Sequence, residues 1–149
     1  MTSVKSEEEM ITLGRRLGMQ LRGDEVIELI GDVGAGKTTF VKGLGQGLEI
    51  NEDVQSPSFT ISRVYDARDG IRLHHYDFYR LQDAGVMSYE LAESLEDDKV
   101  VTVIEWAETI GAVLPEERCR VVISYTPEGE GRNVSIELSK NYDHLEVNV

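Results

Sequence analysis

Three stretches carry residues whose types and spacing could do chemistry. The first is Gly31-Asp-Val-Gly-Ala-Gly-Lys-Thr38, which fits the pattern G-x-x-x-x-G-K-[ST]. Glycines at that spacing let consecutive backbone N–H groups turn inward as an anion nest. A helix beginning near Gly36 would add unpaired donors and the positive end of its dipole. Lys37 then reaches the β- and γ-phosphates of a nucleotide, and Thr38 offers its hydroxyl to Mg²⁺.

The second stretch is the apolar run Val100-Val-Thr-Val-Ile104, closed by Glu105-Trp106. A buried strand ending in a carboxylate places an acid beside a cation held at Thr38. Aspartate is usual there, so Glu105 is a departure; read blandly, it opens the next loop. Trp106 reads either as a lid over the site or as plain core. The third stretch is His75-Tyr-Asp-Phe-Tyr-Arg80. At period two, His75, Asp77 and Tyr79 share a face. If that strand joins a central sheet, Asp77 lies on the carboxyl edge where open α/β sheets bind ligands. Asp77 could then hold Mg²⁺ through water or orient an attacking water; the alternative is a surface pair with Arg80. His75 suits an orienting hydrogen bond better than a zinc site, since no Cys/His cluster accompanies it.

The elements that must position these residues follow from hydrophobic spacing. Val26–Ile30 is a short β-branched run, a buried strand feeding the loop. Ser6 and Glu9 have capping-box spacing, and Met10, Leu13, Leu17 and Leu21 give residues 7–21 an amphipathic helix. The N-terminal end of that helix is a candidate neighbour of the nucleotide base. Arg22-Gly-Asp24 turns into the loop-bearing strand. A helix after the loop runs to about Leu48, with Gly43, Gly45 and Gly47 allowing close helix–sheet packing or early fraying. In the connector Asn51–Phe59, Ser56-Pro-Ser-Phe59 reads either as surface loop or as a switch segment. In the second case Ser and Thr hydroxyls approach the γ-phosphate. Thr60–Tyr65 and Ile71–Tyr79 form a hairpin around Asp66–Gly70. Residues 86–97 form an acidic helix, and strands at 118–126 and 132–139 a second hairpin, continuing or flanking the sheet. Asn141–Val149 reads as weakly ordered. The architecture expected is a three-layer α/β phosphate-loop fold in one domain, residues 1–149. Its central sheet is mostly parallel, with antiparallel hairpins and helices on both faces.

Composition narrows the partners. The chain has 149 residues, 40% of them apolar, and a formal charge of −13. So acidic a surface repels phosphate backbones, which argues against strong direct nucleic-acid binding and suits docking on a basic protein surface. It also makes Mg²⁺ more necessary for holding a polyphosphate. No stretch is apolar enough to span a membrane, and the acidic N-terminus is unlike a signal peptide. A single cysteine, Cys119, forms no internal disulfide, which fits a reducing cytoplasm and a small core residue.

Gly-Asp-Val-Gly-Ala-Gly-Lys-Thr-Thr (31–39), Ser-Pro-Ser-Phe-Thr (56–60), His-Tyr-Asp-Phe-Tyr-Arg-Leu (75–81) and Ile-Glu-Trp-Ala-Glu (104–108) occur in this order. Together they resemble the bacterial TsaE (YjeE) family, over most of the chain. The family pattern usually reads Ser-Pro-Thr-Phe, so Ser58 departs from it while keeping a hydroxyl. The resemblance implies a small cytoplasmic ATPase needed for threonylcarbamoyladenosine in tRNA, acting with a TsaD-type transferase and its TsaB-type partner. It implies that Asp32, Val33, Gly34, Ala35, Gly36, Lys37, Thr38 and Thr39 bind ATP and that Thr38 and Glu105 hold Mg²⁺. Asp77, Glu105 and Lys37 become catalytic candidates, with Ser56, Ser58, Thr60, His75, Tyr79, Arg80 and Trp106 as further functional positions.

No arginine stands out as a finger, so turnover of the isolated protein should be slow. A small-molecule kinase would share the loop but needs an acceptor pocket and usually a lid. A GTPase would need a guanine-reading Asn-Lys-x-Asp segment, which is missing. A nucleotide-gated binding module without turnover is the third alternative.

Overall fold

The computed structural model describes residues 1–32, 34–55, 57, 61–79, 85–107 and 114–146, with backbone only at Val86. Its strands are β1 (Thr2–Val4), β2 (Val26–Ile30), β3 (Ser62–Asp66), β4 (Arg72–Asp77), β5 (Val100–Glu105), β6 (Cys119–Tyr125) and β7 (Arg132–Glu137). They form a 7-stranded sheet in the order β1-β7-β6-β2-β5-β4-β3. The central strands β6, β2, β5 and β4 run parallel, and β3, β7 and β1 pair antiparallel outside them. The helices are α1 (Glu7–Gln20), α2 (Lys37–Gly47) and α3 (Gly85–Glu96).

Both faces of the sheet are covered, as alternation on the central strands requires. On one face Leu13 and Leu17 of α1 and Phe40, Val41 and Leu44 of α2 pack on Ile27, Leu29, Val101, Val103 and Val121. On the other, Leu91 of α3 packs with Tyr76, Phe78 and Ile104. Each such fully buried side chain contributes about 1.5–3 kcal/mol. Cys119 is a core residue of β6, and burial pushes its thiol up to about 12. Among the described residues no helix is long and apolar enough to cross a membrane.

The glycines of α2 do not face the sheet, and the helix does not fray. They meet α1. A Cβ at Gly43 would lie 2.3 Å from the Ile11 carbonyl oxygen, and one at Gly47 2.4 Å from that of Arg15. Gly14 and Gly18 of α1 are reciprocal, at 2.3 Å and 2.5 Å from the carbonyl oxygens of Phe40 and Leu44. The two backbones approach to a distance that no side chain would permit.

Both ends of α1 are held. Ser6 Oγ accepts from the Glu9 N–H (3.1 Å), while the Glu9 carboxylate reaches back to the Lys5 N–H (2.7 Å), one residue beyond the usual capping box. At the other end the Arg68 guanidinium donates to the carbonyls of Gly18, Met19 and Leu21 at 3.1, 3.3 and 2.9 Å.

Two terminal segments differ from expectation. Thr2–Val4 is a strand paired with β7, too short to show a period. In the C-terminal segment, Tyr142 and Leu145 join the main core, and the Tyr142 hydroxyl accepts from the Val26 N–H (2.8 Å). His144 Nε2 lies 2.7 Å from Glu25 Oε2. The buried Glu25 carboxylate also accepts from the N–H groups of Arg22, Gly23 and Asp24 at 2.7, 2.9 and 3.1 Å. This small anion nest anchors the end of the chain.

Candidate functional site

β2, β5 and β4 are parallel neighbours, so their carboxyl ends meet at one edge of the sheet. There β2 releases the glycine loop, β5 ends in Glu105, and β4 ends in Asp77. Glu105 is in register with Leu29 on one side and Asp77 on the other. Leu29 and Val103 pack with Phe40 and Val41 of α2. Glu105, two residues beyond Val103, therefore faces the same side of the sheet as the helix that opens with Lys37 and Thr38.

The loop has the backbone its sequence demands. Gly34 and Gly36 adopt φ of 82° and 113°, conformations open to glycine without a Cβ penalty. Ala35 N–H bonds to the Asp32 carbonyl (3.0 Å), and Gly36 is the N-cap of α2. The first turn of α2 contains no acidic residue, and among the described residues no side chain caps it. Three glutamates fill that turn in α1. Lys37 is buried, and its ammonium donates to the Gly31 carbonyl while lying 4.0 Å from the centroid of the Trp106 ring. Lys37, Gly31, Asp32, Trp106 and Ala107 line a hollow of about 150 Å³.

At the carboxyl ends of β4 and β5 the polar groups are buried. His75 Nε2 and Glu105 Oε2 are 2.6 Å apart, with His75 fully buried and Glu105 2% exposed. A carboxylate only accepts, so Nε2–H is the donor. His75 Nδ1 has no hydrogen-bond partner among the described residues. Asp77 is 5% exposed and accepts from the Tyr79 N–H at 3.0 Å. Asp77 is thus buried, and its expected alternative partner, Arg80, lies outside the described residues. Tyr79 itself departs from the expected face: β4 ends at Asp77, and Tyr79 turns outward, 56% exposed, with its ring 4.9 Å from that of Trp106. Trp106 is half-buried with φ of 57°, a left-handed backbone that a bulky residue rarely adopts. Of the two expected readings, lid over the site or plain core, its place over the Lys37 ammonium fits the first.

A second cleft, of about 270 Å³, opens on the other side of the loop. Ser6, Glu7 and Met10 from the start of α1 face Gly34, Thr39 and Arg132 across it. The start of α1 thus lies across a cleft from the loop. Arg132 opens β7 and carries no motif, so sequence reasoning passed over it. Its guanidinium donates to the carbonyls of Ala35 (3.0 Å) and Gly34 (3.4 Å) and lies 4.1 Å from the centroid of Tyr125. The sequence-selected positions Val33, Ser56, Ser58, Thr60 and Arg80 lie outside the described residues.

The model of the family described as "Threonylcarbamoyl adenosine biosynthesis protein TsaE" matches residues 4–134. A Nostoc protein named tRNA threonylcarbamoyladenosine biosynthesis protein TsaE is 40% identical over 126 residues, covering 83% of this chain and 76% of that protein. Its namesake from Streptomyces coelicolor is 43% identical, covering 76% of this chain and 78% of the relative. The crystal structure of Bacillus subtilis YdiB superposes with a TM-score of 0.76 at 31% identity, spanning 95% of this chain and 87% of that one. The chain belongs to the TsaE family of threonylcarbamoyl adenosine biosynthesis proteins.

Proposed function

We propose that this protein is a Mg²⁺-dependent ATPase that serves tRNA threonylcarbamoyladenosine formation by acting on a TsaD-type transferase and its TsaB-type partner. One observation carries the reading. The glycine loop, the Lys37 ammonium and the strand-end carboxylates of Asp77 and Glu105 converge at one sheet edge, on the face that bears α2. Loop N–H groups and the first turn of α2 would cradle the phosphates. The nucleoside would occupy the cleft bounded by α1, Thr39 and Arg132.

The donor set suits magnesium. It is all oxygen: the half-buried Thr38 hydroxyl and the Glu105 carboxylate, with Asp77 beside it in register. Mg²⁺ at Thr38 and Glu105 would supply neutralisation of phosphate charge. The chain's own residues do the rest. Lys37 exchanges the Gly31 carbonyl and the Trp106 face for the β- and γ-phosphates. His75 holds Glu105 in one orientation through a buried hydrogen bond. Asp77, fixed by the Tyr79 N–H, aims a water at the γ-phosphorus and accepts its proton as the bond to the leaving oxygen breaks. With no arginine finger standing out in the sequence, turnover alone is slow; partner-supplied groups of that kind are worth about 10³–10⁵ in rate. Hydrolysis resets the transferase complex after each round. The acidic chain, at −13, meets basic protein surface and not RNA.

The test is phosphate release by the full chain, alone and with the TsaB/TsaD pair, for wild type, Lys37→Ala, Asp77→Ala and Glu105→Ala. The reading requires slow release, stimulation by the pair and loss in all three variants. A phosphorylated small molecule in place of free phosphate would indicate a kinase. Tight Mg·ATP binding without release, alone or with the pair, would indicate a gated module.

A further inference from the structure

The carbonyls of Gly34 and Ala35 both turn outward to Arg132, at 3.4 and 3.0 Å. In a trans-planar peptide the C=O of one residue and the N–H of the next point in opposite directions. Fixing these two carbonyls therefore fixes the N–H groups of Ala35 and Gly36 toward the hollow of the loop, where Ala35 N–H already meets the Asp32 carbonyl. The guanidinium is itself held. Its Nη1 donates to the Gly131 carbonyl (3.0 Å), and its plane lies over Tyr125. The Tyr125 hydroxyl closes against the loop from the same hairpin, 3.2 Å from where a Gly34 Cβ would sit. Tyr125 and Arg132 are register partners across β6 and β7, so one rigid strand pair presents both groups.

We infer that Arg132 is a positioning residue for phosphate binding: it shapes the glycine loop from behind, turning loop N–H groups toward the polyphosphate without touching it. This rests on the phosphate-loop reading above. A planar fork that satisfies two carbonyls while stacking on an aromatic ring is a task for arginine; lysine has one point of donation and no plane. The hairpin that carries Arg132 packs on α1 through β1, and neither is part of the G-x-x-x-x-G-K-[ST] pattern. The loop sequence alone does not complete the site.

The experiment titrates the full chain by calorimetry with Mg·ATP and with Mg·tripolyphosphate, which has no nucleoside. The proteins are wild type, Arg132→Met, Arg132→Lys and, as control, Lys37→Met. Arg132→Met keeps an unbranched apolar stem and removes the donors. It should weaken both ligands, each by about tenfold or more, the worth of a charge-assisted hydrogen bond. Its melting temperature should stay within a few degrees of wild type, a separation that a merely structural role would not give. Arg132→Lys should fall between. Unchanged affinities overturn the inference. So does weakening for ATP alone, which would put the guanidinium on the nucleoside. If Arg132→Met does not fold, a folded Arg132→Lys that binds as tightly as wild type overturns it equally. Wild type giving no heat with either ligand would be a failure of the phosphate-loop reading itself. Wild-type binding that Lys37→Met abolishes upholds that reading whatever Arg132 does.

Discussion

Replacing Gly14 by alanine sets helix propensity against packing, and the geometry decides the sign. Alanine in a helix interior is favoured over glycine by about 0.8–1 kcal/mol. On propensity alone, Gly14→Ala is stabilising. The added methyl, however, would sit 2.3 Å from the Phe40 carbonyl oxygen and 3.0 Å from the Leu44 nitrogen. Carbon–oxygen contacts of this kind lie at about 3.3–3.6 Å, so α1 and α2 must part by roughly 1 Å. The obstacle is backbone and cannot rotate away. Overpacking of this kind costs about 1–3 kcal/mol, and a backbone obstacle belongs in the upper half of that range. Net of propensity, the expected loss is about 1–2 kcal/mol, or roughly 2–8 °C in melting temperature for a chain this long. Gly45→Ala is the internal comparison, because it gains the same propensity but its close neighbour is a side-chain atom, Val54 Cγ2 at 2.8 Å, and not backbone. It should be closer to neutral. Urea unfolding of both variants checks this. Gly14→Ala as stable as wild type, or a Gly45→Ala loss equal to that of Gly14→Ala, would refute the argument. Parting the helices also displaces Met10, whose Cε lies 3.1 Å from a Cβ placed on Gly36, so nucleotide affinity should fall with stability.

Acid stability should report on Glu25. Burial pushes its pKa up, but the hydrogen bonds from the Arg22 and Gly23 amides and from His144 outweigh it, leaving the folded value below the ordinary 4.5. A depressed carboxylate stabilises the fold above its unfolded value and loses that contribution as pH falls through the folded one. Unfolding free energy should therefore decline with acidification below about pH 4.5, and Glu25→Gln should flatten the decline. A parallel decline in both proteins would count against it. Arg68→Met should cost about 1–3 kcal/mol in urea unfolding, since it frees carbonyls at the end of α1. His75→Phe removes the partner of a fully buried Glu105; stranding such a charge costs about 3–5 kcal/mol. His75→Phe with Glu105→Leu should recover much of that loss, measured as a double-mutant cycle.

What could be read in the sequence was local. The strand Val26–Ile30, the glycine loop and the start of α2 lie within a few residues of one another, and their chemistry needs no distant partner. Asp77 and Glu105 were legible because each ends a strand that is alternating or apolar enough to place in a sheet. What failed to show depends on contacts between distant segments. Gly43 and Gly47 were visible as small residues, but their use depends on Gly14 and Gly18, at the same spacing on another helix. The C-terminal segment looks weakly ordered until the Glu25 nest and the Val26 amide are there to receive His144 and Tyr142. The His75–Glu105 bond requires the β4–β5 register, with His75 opposite Val103. Arg132 is an unremarkable arginine until β7 brings it behind the loop.

These distant contacts share a logic with the charge of the chain. A protein at −13 offers a polyphosphate no long-range attraction, so whatever binds it must act at contact distance. The loop is suited to that. Its outward carbonyls, at Gly34 and Ala35, are engaged by Arg132, while Lys37 holds the Gly31 carbonyl within the hollow. A cation on the outer carbonyl side turns the N–H ends of the same peptides to the hollow, and it raises the local potential from behind the loop. Lys37 can exchange a carbonyl and an aromatic face for a phosphate at modest cost, because both are weaker partners than an anion. Arg132, committed to three carbonyls and a ring, has no such exchange to make. One cation is therefore placed to move with the ligand and the other to keep the loop in shape while it does.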